Sequence, residues 1–165
     1  MKVLIANRGE IAVRIMRACH ELGLATVAVY SDCDRMAPHV RCADEAIGFG
    51  ANESGESYLR IGKLVEFATR VGADAVHPGY GFLAENAAFA RACADAGLRF
   101  IGPRAEVIEL MGGKTASREA AARAGVPIVP GTDSAVPADA SDDAIQTLGD
   151  GIGYPLFVKV VAGGG

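Results

Sequence analysis

The chain has 165 residues, enough for one full domain or for one domain and a piece of another. Half of the residues are hydrophobic, only 6 % are aromatic and Trp is absent, so the core is aliphatic. A formal net charge of -4 without any basic block leaves no footprint for nucleic acid or an anionic membrane surface, and no apolar run approaches the roughly 18 residues of a membrane span.

From the first residue on, short apolar runs alternate with helical patterns. Lys2-Val-Leu-Ile-Ala6 reads as a buried strand, and Asn7-Arg8-Gly9 turns the chain into a helix. On that helix Ile11, Ile15, Ala18, Cys19 and Leu22 form the expected inner stripe, Glu10 and Arg14 are spaced to pair on the outer side, and Gly23 ends it. Thr26–Tyr30 is a second strand, closing on Ser31-Asp32. A short irregular or helical piece, Arg35–Arg41, leads to a third apolar run at Glu45–Phe49. Ser57 is placed to cap a helix with Ile61, Leu64, Val65 and Ala68 on one face and Gly72 as its stop.

The most distinctive stretch is Asp74–Asn86. Its apolar start, Ala75-Val76, halts at His77-Pro78, where proline removes a ladder donor and forces the residue before it into extended geometry. Gly79 and Gly81 open backbone angles closed to other residues, and Tyr80 and Phe82 ride on the turn. After Asn86 a helix takes over, with Phe89, Ala92, Cys93 and Ala96 on one face and Gly97 beyond it; Leu98–Ile101 is the fifth strand. Five strands alternating with helices predict a doubly wound parallel sheet of α/β class over about residues 1–102, and ligands of such sheets bind beyond the carboxyl ends of the strands.

Residues 104–112 and 115–124 are helical by pattern, with Gly112-Gly113-Lys114 between them. Gly125–Gly131 breaks the chain hard, Ser141 can cap a short helix with Ala144, Ile145 and Leu148, and Pro155–Val161 reads as a strand that runs into Gly163-Gly164-Gly165. A strand that ends in a glycine turn with no partner leaves backbone groups unpaired. The expectation is therefore an amino-terminal fragment of a longer protein.

The chemistry-bearing candidates each have a plainer reading. Asn7–Ala12 supplies one glycine where a dinucleotide fingerprint needs three, which sets NAD aside, and Asp32 is then a turn residue. Lys159 projects from an apolar strand, which is costly unless its head reaches water or an anion, and the three following glycines can wrap phosphate oxygens with backbone N–H groups. A lysine snorkelling from a sheet edge explains it equally well. Lys114 taken alone is an ordinary exposed lysine. His77 fits a hydrogen bond at the strand end better than a catalytic base, and His20 and His39 carry no partner spacing. Tyr80 is the stronger candidate in its region. Cys19, Cys33, Cys42 and Cys93 show no C-x-x-C pairing and are expected as buried free thiols in a reducing compartment. With the first strand starting at Lys2 there is no room for a targeting peptide, so cytoplasm is the default.

Taken together the motifs resemble the start of biotin carboxylase, the ATP-dependent component of acetyl-CoA, propionyl-CoA and pyruvate carboxylases. The resemblance rests on Ile5–Ala12, Ala43–Glu45, Ser57–Leu59, His77–Asn86, Phe100–Pro103, Met111–Lys114, Gly125–Pro127, Gly153–Pro155 and the closing glycines. It implies a Rossmann-like (pre-ATP-grasp) domain over 1–112, a helical connector over 113–129, and the truncated start of an ATP-grasp lid over 130–165. It further implies that Lys114 and Lys159 contact ATP phosphates and that the loop of Gly163, Gly164 and Gly165 closes over the nucleotide. Tyr80 and Gly81 would lie beside the biotin ureido ring, and Arg17 and Glu21 on a two-fold homodimer interface. One departure is Gly113, where many relatives carry Asp before the lysine.

The implied reaction of the whole protein transfers the γ-phosphoryl group of ATP to bicarbonate. The resulting carboxyphosphate yields carbon dioxide for N1 of biotin, which is carried on a partner domain or protein and then serves a carboxyltransferase. No catalytic residue and no magnesium ligand is expected within these 165 residues, and the fragment alone is expected to be inactive. The alternatives are the start of another ATP-grasp ligase of carbamoyl-phosphate or purine-pathway type, and a non-enzymatic α/β dimerisation module.

Overall fold

The computed structural model describes residues 1–132 and 134–159. It divides into two compact units, Met1–Ile108 and Glu109–Gly165. The first unit contains β1 (Lys2–Ile5), α1 (Gly9–Glu21), β2 (Ala25–Tyr30), α2 (Pro38–Cys42), β3 (Glu45–Gly48), α3 (Ile61–Arg70), β4 (Ala75–His77), α4 (Ala87–Asp95) and β5 (Arg99–Phe100). α5 (Ala105–Gly112) runs across the division, and α6 (Lys114–Arg123) and α7 (Asp142–Ile152) follow.

The five strands form one parallel sheet in the order β3-β2-β1-β4-β5. Because side chains alternate across a strand, β1 feeds both faces. Leu4 joins Val27, Val29 and Val76 against Leu64, Phe67, Phe89 and Cys93 on one face, whereas Val3 and Ile5 meet Ala12, Met16 and Cys19 of α1 on the other. Both faces are covered by helices, which is why these strands are near-continuous apolar runs.

Each of α1, α3 and α4 closes in the same way. Gly23, at φ +69°, lets Leu24 N donate back to Cys19 O at 2.8 Å, and Ala73 N to Ala68 O and Leu98 N to Cys93 O repeat the pattern.

Packing keeps much of each predicted stripe, with Ile15, Cys19, Ile61, Leu64, Val65, Ala68, Phe89 and Cys93 in or against the core, and shifts its edge. On α1 the buried residues are Ala12, Met16 and Cys19, while Ala18 and Leu22 are exposed. α3 buries Leu64, Phe67 and Ala68, and α4 buries Phe89, Ala90 and Cys93. Ser57 does not cap α3. Its hydroxyl donates to Glu53 O at 2.7 Å in a preceding turn, and α3 starts only at Ile61. Asn86 and Ser141, by contrast, cap α4 and α7, accepting from Phe89 N and Ala144 N. All four cysteines are free; Cys19 and Cys93 are buried, but Cys33 and Cys42 are exposed, contrary to expectation. Residues 155–159 form no strand, and Phe157 and Val158 are 94 % and 97 % exposed; the rest of that expected strand, 160–161, lies outside the described residues. Alternating apolar residues make a strand only against a neighbouring strand, and the described residues of the second unit supply none.

Candidate functional site

The strand order reverses between β1 and β4, so the crevice beyond their carboxyl ends is the natural ligand position of this sheet. The ladder runs to its last rung there, Ala6 N donating to His77 O at 2.9 Å. One residue further, the buried Asn7 takes over with its side chain. Asn7 Nδ2 donates to Pro78 O at 2.8 Å and to Tyr80 O at 2.9 Å, and Oδ1 accepts from Arg8 N at 2.9 Å. His77 Nδ1 accepts from Gly79 N at 3.0 Å, the strand-end role expected of it, and burial lowers its pKa.

Phe82 holds a left-handed backbone at φ 41°, an uncommon state for a residue with a Cβ. Its ring stacks on Tyr58 at 5.1 Å between centroids, which fixes the far end of the turn. Between these anchors Tyr80 is 65 % exposed and Gly81 is exposed. The turn is thus held by Asn7, His77 and Tyr58 while Tyr80 and Gly81 stay exposed.

A second network lies beyond the ends of β1 and β2. The Tyr58 hydroxyl donates to Asp34 Oδ2 at 2.7 Å and accepts from Ser31 N at 3.0 Å; Ser31 Oγ also donates to Asp34 Oδ2, at 2.9 Å. Arg8 reaches Asp34 Oδ1 at 3.5 Å and lies 5.9 Å from the Tyr58 ring centroid. Burial works to raise the Asp34 carboxyl, but the Tyr58 and Ser31 hydrogen bonds and the Arg8 charge outweigh it and hold it below the usual range. Burial first, and then donation to Asp34, pushes the Tyr58 phenol up to about 12. His39 is fully buried beneath this network: Gly9 N donates to its Nδ1 at 3.4 Å, so Nε2 carries the proton and faces Val29 O at 3.3 Å.

Of the residues singled out from sequence, Tyr80 and Gly81 lie on the turn after β4, and Arg17 and Glu21 stand on the exposed side of α1, all within the first unit. Lys114 is the first residue of α6, and Lys159 is exposed after α7, both in the second unit. Gly163, Gly164 and Gly165 lie outside the described residues. Asp32 opens a single 3-10 turn and is 3.6 Å from Arg35, consistent with a turn residue. Sequence reasoning missed Asn7, Asp34, Tyr58 and His39 as organisers of the site. Asn7 and Tyr58 fall inside motifs that carried the resemblance, but the groups Asn7 Nδ2 and the Tyr58 hydroxyl donate to are more than twenty residues away, so spacing along the chain gives no sign of the pairing. Among the described residues no three His, Cys, Asp or Glu side chains come together as a metal site.

A family model described as biotin carboxylase, N-terminal domain, matches residues 1–108. The chain is 53 % identical over 164 residues to the biotin carboxylase of Halalkalibacterium halodurans, covering 99 % of this chain and 36 % of that protein. It is 52 % identical to biotin carboxylase 1 of Bacillus subtilis, over 99 % of this chain and 36 % of that one. The biotin carboxylase domain dimer of the Hydrogenobacter thermophilus 2-oxoglutarate carboxylase, solved with MgADP, ADP and bicarbonate, is 51 % identical; its TM-score is 0.91, over 99 % of this chain and 35 % of that one. The chain thus spans about a third of the length of the curated relatives it matches.

Proposed function

The chain belongs to the family of biotin carboxylase N-terminal domains, and from that premise we propose that it is part of an enzyme using ATP and bicarbonate to carboxylate carrier-bound biotin. What carries this reading is the reach of the likeness: identity of about half extends over 99 % of the chain, past residue 108 and through the segments holding Lys114 and Lys159. An α/β dimerisation module, or a ligase sharing only the first domain, has no need for that continuity.

In this reading residues 1–112 are the Rossmann-like domain, 113–129 the connector and 130–165 the opening of the ATP-grasp lid. Lys114 and Lys159 bring cations to the phosphoryl oxygens of ATP, where charge neutralisation and positioning lower the barrier. The exposure of Lys159 and the location of Lys114 at a helix N-terminus suit that role. Gly163, Gly164 and Gly165 supply backbone N–H donors to the nucleotide. Tyr80 and Gly81 face the ureido ring of biotin. Arg17 and Glu21, one turn apart on α1, take part in a homodimer contact, and the protein works in the cytoplasm with a biotin carrier and a carboxyltransferase. In this reading no magnesium ligand is assigned to these 165 residues.

The test is biotin-dependent ATP hydrolysis by the protein carrying this chain at the full length of its relatives. Lys159→Gln is expected to raise the ATP concentration for half-maximal rate by about tenfold and to slow turnover, as loss of a charge-assisted contact requires. Unchanged steady-state constants refute the role of Lys159, and absence of biotin-dependent hydrolysis in the unmutated protein refutes the reading as a whole.

A further inference from the structure

We propose that Asn7 is a positioning residue for the biotin-facing turn. Its carboxamide sets the backbone of residues 78–81 and through it the stance of Tyr80. The proposal rests on the reading that Tyr80 lies against biotin, but the observations behind it are independent of that reading.

The backbone ladder between β1 and β4 ends at the bond from Ala6 N to His77 O. Two carbonyls that follow on the β4 side, those of Pro78 and Tyr80, point at a chain that has already turned into α1. Asn7, only 4 % exposed, meets both of them with one NH2 group, and its own Oδ1 takes the N–H of Arg8. The side chain therefore satisfies three backbone groups at the switch point of the sheet. A leucine would leave all three without it, and an aspartate would set an anion against two carbonyl oxygens.

Gly79 completes the arrangement. At φ +70° a Cβ on this residue would sit 2.5 Å from Asn7 Nδ2 and 3.0 Å from Ile11 Cγ2, so the bare Cα is what lets the carboxamide reach past it. His77 bonding Gly79 N and Phe82 stacking on Tyr58 hold the rest of the turn. The carbonyl of Tyr80 is where the latch grips that residue, and its ring stays exposed above.

The experiment compares Asn7→Asp and Tyr80→Ala in the full-length protein, with free biotin as acceptor. Both variants are expected to raise the biotin concentration for half-maximal rate by about tenfold, the effect of one lost hydrogen bond or packing contact, with the ATP requirement unchanged. Should Tyr80→Ala leave the biotin response intact, the reading of Tyr80 fails. Should Tyr80→Ala act while Asn7→Asp does not, or Asn7→Asp impair the ATP and biotin responses alike, the positioning role is overturned. A measurement free of catalysis guards against a variant that folds poorly. In Asn7→Ser, amide hydrogen exchange is expected to accelerate across residues 79–82 and not within α4; unchanged exchange on that turn overturns the proposal.

Discussion

Tyr58 gathers several distant groups onto one phenol. Its oxygen accepts a hydrogen bond from Ser31 N and donates one to Asp34, while its ring stacks on Phe82 and meets Phe49 edge-on at 5.3 Å. Tyr58→Phe keeps the ring contacts and removes only the hydroxyl, taking its acceptor from the buried Ser31 N–H and leaving Asp34 with Ser31 Oγ and Arg8. A loss of about 1–3 kcal/mol in urea unfolding is expected. Because the phenol is raised to about 12, the loss should be the same at pH 7 and pH 9; a loss that shrinks at pH 9 would contradict the assignment. A tyrosine among polar residues gives no sign in sequence of which carboxylate it serves. Asp34 lies 24 positions away, and only the return of the chain beside β2 brings the two together.

At the scale of elements, the turn from β1 into α1 is held from two sides, by Asn7 toward β4 and by His39 of α2 toward Gly9. Burial lowers the pKa of His39, aided by Arg8 and outweighing the Val29 carbonyl and the Asp34 carboxylate; burial also lowers that of His77. For both, the folded value lies below the unfolded value of about 6.5. Above that pH neither state binds the proton and stability is full. As pH falls below it the unfolded chain takes up protons first, so stability declines until the folded values are passed. Asp34 and Asp44, also lowered, add a loss in the same direction only below their ordinary carboxylate range. The expected result is a lower urea midpoint at pH 5.5 than at pH 7.5, with a smaller difference in His39→Gln. An equal difference in the variant would assign the acid sensitivity to His77 alone.

For the whole molecule, the expected contact of Arg17 and Glu21 is open to a direct test. Both are exposed on α1, with Leu22 beside them 74 % exposed. Sedimentation of the full-length protein should give a dimer, and Arg17→Glu, which sets like charges at that contact, should weaken it while leaving the melting of each subunit unchanged. A dimer of undiminished affinity would remove α1 from the interface. The 165-residue chain alone is expected to show no ATP binding by titration calorimetry at millimolar nucleotide, since it spans about a third of the relatives it matches and a phosphate clamp needs both sides; measurable binding would show that Lys114 and Lys159 suffice.

Strand and helix order, the glycine stops and the parallel α/β class were legible in the residues alone, because apolar runs bounded by glycine and proline encode local geometry through sterics. So was His77 as a strand-end acceptor, two residues from its partner Gly79. Tertiary packing alone decided which stripe of α1 turns inward, that Ser57 bonds a preceding turn instead of capping α3, and that Pro155–Lys159 forms no strand. It also decided that Asn7 reaches 71 and 73 residues along the chain to hold the turn of Tyr80. The physical reason is range. Backbone sterics act between neighbours and can be read in order, whereas a buried hydrogen bond takes its partner from whatever the folded sheet brings within about 3 Å.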